Sequence, residues 1–174
     1  MRIGVVSDTH LPRYGSALPR ALVDGLRSAH VQRILHLGDH TSVEVAAHFE
    51  RIAPLEAVAG NNDGPELVAR FGRRKVVEVD GIRLGMTHGH IGLPSHTTPR
   101  RASATFAPDE VDVVLFGHSH IPLVERLPDG RWLVNPGSPT DKRRQSRYTW
   151  ALLDIVGGAL LRPPALQAFD DRSV

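Results

Sequence analysis

Val113-Val114-Leu115-Phe116-Gly117-His118-Ser119-His120 decides how the rest of this chain is read. Four apolar residues have the length and composition of a buried strand. The glycine lets the backbone turn sharply, and two imidazoles one residue apart follow at the turn. The same order recurs elsewhere. Ile3 to Val6 runs into Ser7-Asp8-Thr9-His10, Arg33 to Leu37 into Gly38-Asp39-His40, and Leu55 to Ala59 into Gly60-Asn61-Asn62-Asp63. Ile82 to Thr87 runs into His88-Gly89-His90. A lone histidine pair carries little in a chain of 174 residues with ten histidines. Matching ligand types at the ends of four further strands change that.

Between the strands lie helical patterns. Ser16 can cap a helix carrying Leu18, Leu22 and Leu26. Thr41 and Glu44 have capping-box spacing before Val45, Phe49 and Ile52, and Asp63 and Glu66 repeat it with Pro65 in the first turn, predicting a short helix over 64–71. A chain that opens strand-helix-strand-helix builds parallel strands with helices on their faces. The second half changes character. Asp80-Gly81, Asp129-Gly130 and Gly157-Gly158 each separate two apolar runs and predict hairpins. Residues 91–108 are rich in Gly, Pro, Ser and Thr, with a short helix over Arg100 to Phe106 opened by Thr98 and Pro99, and a mobile loop beside the site is expected there. The fold class is α/β, with two mixed sheets stacked and helices outside. One domain is expected over 1–162, with 163–174 as a C-terminal tail, a surface appendage containing prolines and charges.

Composition narrows the chemistry. There is no cysteine, so neither a disulfide framework nor a thiolate metal site is possible. A chain of this length buries about 70% of its unfolded surface without staples. The formal charge is +2, and Arg73-Arg74-Lys75, Arg100-Arg101 and Lys142-Arg143-Arg144 lack interleaved aromatics, so solvated surface charge is favoured over nucleic-acid binding. No apolar run approaches a membrane span and no signal-peptide pattern opens the chain, so a cytoplasmic protein without a membrane partner is expected. A homo-oligomer stays open.

The strand ends together offer Asp8, His10, Asp39, Asn61, His88, His118 and His120. Carboxylate, amide oxygen and imidazole suit a borderline-hard divalent ion such as manganese, iron or zinc, and seven ligands exceed what one ion takes. Two ions with a bridging carboxylate are expected. Taken singly, the residues have plainer readings. Asp8 can close a turn, Asp39 can cap a helix, and Asn61 or Asn62 can supply a left-handed residue. His30 and His48 fall on helix surfaces, and His36 reads as packed or as a hydrogen-bonded support of the site. Crevices at the carboxyl ends of strands are where such folds bind ligands.

Asp8-Thr9-His10, Gly38-Asp39, Gly60-Asn61-Asn62-Asp63, Thr87-His88-Gly89-His90 and Gly117-His118-Ser119-His120 resemble, in order and spacing, the calcineurin-like metallophosphoesterase superfamily. The compact length and Asn135-Pro136-Gly137-Ser138 resemble its small prokaryotic phosphodiesterase branch. The resemblance spans residues 1 to 160 and rests on five separate motifs. It implies a four-layer αββα sandwich and a centre of two divalent ions, manganese first, with iron, zinc, nickel or cobalt as alternatives. By motif, Asp8, His10 and His120 would hold one ion, Asn61, His88 and His118 the other, and Asp39 would bridge. The implied reaction is hydrolysis of a small phosphate ester. Two ions about 4 Å apart can share a hydroxide, orient the phosphate oxygens and neutralise developing charge, with no side-chain nucleophile.

Asn62 departs from the superfamily pattern, in which many members have histidine there to assist the leaving group, although the small prokaryotic branch that this chain resembles often differs at that position too, commonly with cysteine. Asparagine donates a hydrogen bond but transfers no proton at neutral pH. Activated leaving groups such as aryl phosphodiesters are therefore expected to be preferred, with water or His90 delivering any proton. Arg100, Arg101, Lys142 and Arg143 are candidates for phosphate contacts. The competing readings are a phosphomonoesterase and a scaffold resembling a retromer subunit of the same fold; a nuclease is weaker, since nothing resembles a nucleic-acid groove.

Overall fold

The central apolar runs form strands because each is sandwiched between two apolar layers. The computed structural model, which describes residues 1–174, has two mixed sheets. In the first, β1 (Arg2–Val6), β2 (Arg33–His36) and β3 (Leu55–Ala57) are parallel, and β9 (Tyr148–Val156) runs antiparallel to β1. Both β10 (Ala159–Leu160) and β11 (Ala165–Phe169) pair with β9. In the second, β5 (Ile82–Thr87), β6 (Val113–Leu115) and β8 (Trp132–Asn135) are parallel. They are flanked antiparallel by β4 (Arg74–Val79) and β7 (Leu123–Arg126).

Ile3, Val5 and Leu35 of the first sheet meet Leu84, Met86, Val113 and Leu115 of the second in one buried cluster. Each such side chain contributes roughly 1.5–3 kcal/mol on leaving water. On the outer face of the first sheet, α1 (Arg20–Ser28) and α2 (Glu44–Glu50) lay Leu22, Leu26, Val45 and Phe49 against Val6, Ile34 and Trp150. Leu67 and Phe71 of α3 (Pro65–Phe71) pack on Ala46 and Ala57. Outside the second sheet, Ala102 of α4 (Thr98–Ala104) packs with Phe106, Val114, Phe116 and Leu133. The layers are therefore helix, sheet, sheet, helix, as the resemblance implied. Because β1, β2, β3, β5 and β6 all point the same way within their parallel sets, their carboxyl ends deliver five loops to one rim.

The hairpins form where the sequence places them. Asp80 and Gly81 (φ 51° and 85°), and Gly157 and Gly158 (φ 56° and 77°), take the paired positive φ of a two-residue turn. The β7–β8 connection, with Gly130 at φ 92°, is longer.

Four local expectations need correction. The first helix starts at Arg20 after Pro19, not at Ser16. Thr41 does not cap α2: it sits at φ 71°, its N–H donates to Asp63 Oδ1 at 2.8 Å, and its hydroxyl donates to the Leu11 carbonyl at 2.6 Å. Asp63 does not cap α3 either, since Gly64 takes that place and the Asp63 carboxylate turns into the protein. In both pairs long-range hydrogen bonds outcompete the local cap. The segment after Arg162 is no loose appendage, because Ala165–Phe169 completes an edge of the first sheet against β9.

Candidate metal centre

The rim is built by close approach of backbones. A Cβ on Gly117 would collide with Ser7 Oγ, and one on Gly60 with the Asp39 carboxylate. At Gly38, with φ 98°, a Cβ would lie 2.7 Å from Gly60 N and 2.8 Å from His88 Nδ1. Only glycine lets these loops meet. The residues beside the glycines bear the strain. Asp8, His10, Asp39, His118 and His120 all have φ between 45° and 68°, which disfavours any residue with a Cβ.

Asp63 holds two of the loops together. Its Oδ2 accepts from Asp39 N–H at 2.9 Å, Gly60 N–H at 2.7 Å and His40 Nδ1 at 3.1 Å, while Oδ1 takes Thr41 N–H. Behind it, the buried His36 and His40 rings stack at 3.7 Å, and Thr9 Oγ1 lies 3.1 Å from His36 Nε2. Burial pushes His36 well below the ordinary histidine range. On the other side, Ser138 Oγ donates to the Asp8 carbonyl at 2.8 Å and Thr140 Oγ1 to the Thr9 carbonyl at 2.7 Å. Asn135 Nδ2 donates to the Gly117 carbonyl at 2.9 Å.

Two triads result, Asp8–His10–His120 and Asp39–His88–His118, each with its ligand atoms within 4.8 Å of one another. His120 Nε2 is 3.3 Å from Asp8 Oδ1, and His88 Nε2 is 3.3 Å from Asp39 Oδ2. Asp39 Oδ2 also lies 3.6 Å from His10 Nε2, so this carboxylate reaches both triads. His88 Nδ1 donates to the Leu37 carbonyl and His120 Nδ1 to the Asp141 carbonyl, each at 2.7 Å, so both rings present bare Nε2 lone pairs to the centre. Asp8 Oδ1 and His88 Nε2 are buried with no hydrogen-bond partner. Orphaned acceptors of this kind are what a cation satisfies, so the donor set fits divalent metal.

The buried carboxylates and imidazoles act on one another's charge. Burial works to raise the Asp8 and Asp39 carboxyls, but His88 and His120 around the first, and His88 and Asn62 around the second, hold both below the ordinary range. Burial likewise opposes the charged form of His88 and His120, and the facing carboxylates outweigh it and raise both. Burial lowers His10 and His118.

The remaining sequence candidates separate. Asn61 is exposed in the same loop. Asn62 folds onto Asp39, its N–H 2.9 Å from Oδ1 and its Nδ2 2.6 Å from Oδ2. The His90 ring lies 5.3 Å from that of His88 and 6.1 Å from that of His118. Arg101 approaches the His90 carbonyl at 3.4 Å, and Arg143 lies 3.8 Å from Asp141, the residue that orients His120. Lys142 instead donates to the Ser146 carbonyl, and Arg100 is exposed. Sequence reasoning missed Asp63, Asp141 and Arg73. In the sequence the first reads as a helix cap, the second carries no motif, and the third reads as part of a basic cluster.

No helix is long and apolar enough to cross a membrane. A probable metallophosphoesterase of Methanothermobacter thermautotrophicus is 37% identical over 147 residues, covering 82% of this chain and 80% of the relative. A solved archaeal phosphodiesterase is 26% identical with a TM-score of 0.72, covering 97% of this chain and all of that one. Vps29 of Chaetomium thermophilum, 22% identical with a TM-score of 0.77 and 97% coverage of each chain, shares the fold. The family model for the calcineurin-like phosphoesterase superfamily domain matches residues 1–158, and the chain belongs to that superfamily.

Proposed function

We propose that the chain is a phosphodiesterase that hydrolyses small phosphate esters with two divalent ions, manganese foremost. One observation carries the reading: two triads present unpartnered ligand atoms, and Asp39 reaches both. Asp8, His10 and His120 would hold one ion, His88 and His118 with Asn61 the other, and Asp39 would join them. When bound, such ions supply Lewis acidity toward phosphate oxygens and a nucleophile from water at neutral pH. The phosphodiesterase name of the solved archaeal relative supports the diester preference.

The chain's own groups set the rest. Leu37 and Asp141 carbonyls fix the tautomers of His88 and His120. Asn62 holds the Asp39 carboxylate in place through two hydrogen bonds and has no proton to transfer. Loss of the leaving group then depends on its own stability as an anion, which favours aryl over simple alkyl diesters. Arg101 and Arg143 lie near enough to add positive charge at the rim.

The test is a metal-by-substrate panel on metal-stripped protein, with Asp39→Asn as control. Hydrolysis of aryl diesters restored by manganese, and abolished in the control, supports the reading. Equal turnover of aryl and alkyl diesters, or unchanged activity in Asn62→His, overturns the role given to Asn62. If no phosphate ester is cleaved with any ion, and His120→Ala alters partner binding instead, the scaffold reading replaces catalysis.

A further inference from the structure

Arg73 lies outside both triads, yet its guanidinium reaches two of the loops that build them. Nη1 is 3.0 Å from the Gly60 carbonyl and 3.0 Å from His90 Nε2. That nitrogen carries two hydrogens, enough for one bond to each. A guanidinium has donors only and keeps its proton in proteins, so His90 Nε2 must be the acceptor. The ring proton of a neutral His90 then sits on Nδ1. This Nδ1 is buried and has no hydrogen-bond partner in the protein. Leaving a buried N–H unpaired is costly, so a group of this kind in a native structure calls for a partner from outside the chain or a role at a site. The ring stands beside His88 and His118, at the face of the Asp39 triad.

We propose that Arg73 is a positioning residue that locks His90 as the neutral Nδ1–H tautomer, and that His90 offers this N–H to a phosphoryl oxygen of the substrate. The inference rests on the phosphoesterase reading for its ligand. A phosphate diester suits the arrangement because its unesterified oxygens only accept hydrogen bonds and carry the negative charge. Arg73 simultaneously excludes a general-acid role for His90, since a second ring proton on Nε2 would have to displace the guanidinium. His90 therefore stabilises charge on the phosphoryl group, and the leaving group departs without its help. Gly60, which Arg73 also grips, directly precedes Asn61, so one side chain ties the Asn61 loop to the His90 loop.

Two measurements decide it. Long-range proton–nitrogen correlation spectra of the histidine rings, on metal-free and on zinc-loaded protein at neutral pH, read the tautomer directly. The expected pattern is Nδ1 protonated and Nε2 bare for His90, with the preference lost in Arg73→Met. An Nε2–H tautomer, or an unaltered pattern in Arg73→Met, overturns the proposal whatever the activity. The second measurement uses steady-state hydrolysis of an aryl phosphodiester with manganese. The amide of Asn overlays imidazole Nδ1 whereas that of Gln overlays Nε2. His90→Asn is therefore expected to keep at least ~10-fold more kcat/KM than His90→Gln, and Arg73→Lys more than Arg73→Met, at equal metal content. The reverse order in the His90 pair overturns the donor role. Wild-type protein that cleaves no ester removes the phosphoesterase reading, while the spectra still decide the lock on His90.

Discussion

The two ends of the sheets use the same backbone conformation in opposite ways. At the hairpin end, positive φ falls on Gly81, Gly130, Gly157 and Gly158, joined by Asp80 in the first position of its turn. Glycine takes that conformation at no steric cost, and the flanking strands twist to match it. At the rim, positive φ falls on Asp8, His10, Asp39, His118 and His120. Each costs on the order of 1–2 kcal/mol that nothing local returns. The offset comes from far along the chain: Asp63 onto Asp39 and Thr41, Ser138 onto Asp8, Asn135 onto Gly117. The hairpin end is specified by its own dipeptides. The rim is held in place by other loops, which lets it display ligands at angles a relaxed loop would not adopt.

If that contrast is right, its largest break comes from Asp63→Ala. Four donors, three of them buried, lose their acceptor at once, and Asp39 loses the bond that holds its strained backbone. A loss of about 4 kcal/mol is expected in denaturant titration, and, on the proposed two-ion reading, ion content in the Asp39 triad falls before that in the Asp8 triad. Equal loss of both ions would mean that Asp63 supports the whole fold and not one side of the rim.

A paired substitution sharpens the comparison. Gly117→Ala drives a methyl group into Ser7 and Asp8, whereas nothing lies within 4 Å of a Cβ at Gly157. Roughly 3 kcal/mol is expected for the first, together with reduced metal binding. About 1 kcal/mol is expected for the second, from its positive φ alone, with activity unchanged. Similar costs at the two glycines would show that conformation and not close approach governs the rim. His118→Ala and His120→Ala divide it further: on the proposed two-ion reading, elemental analysis is expected to show one ion lost from each, from different triads.

The same contrast explains what was legible in the sequence. Apolar runs, glycine-centred turns and the ligand types at strand ends are local signals, and the strands, hairpins and two triads of carboxylate and imidazole stand where those signals put them. The cap spacing at Thr41 and Asp63 does not decide their structure, because their side chains and N–H groups bond across the fold to partners 22 residues or more away. β11 was missed because Ala165–Phe169 alternates weakly and owes its place to the open edge of β9. Arg73 reads as one of three basic residues until the fold sets it against Gly60 and His90.

The smallest expected effect separates the two ends by pH. Behind the rim, burial holds His36 neutral in the folded protein, well below the histidine value of the unfolded chain. The unfolded state therefore binds more protons once the pH drops below that ordinary value, 6.5, and stability present above it is lost as the pH falls further. The hairpin end and sheet edges carry their ion pairs on Asp112, Asp129 and Asp154, whose carboxyls the partner arginines lower below 3.8. Their contribution is complete above that value and fades only beneath it. In metal-free protein His10 and His118 share the sign of His36, and His88 and His120, raised by their carboxylates, oppose it; the part of the loss between neutral pH and pH 5 that comes from His36 is expected to disappear in His36→Phe and to persist in Asp112→Asn. Hydrogen exchange should place the first loss in β2 and the loops after β1 and β2. A first loss at the β4–β5 hairpin would mean that the rim, strained as it is, is not where acid enters the fold.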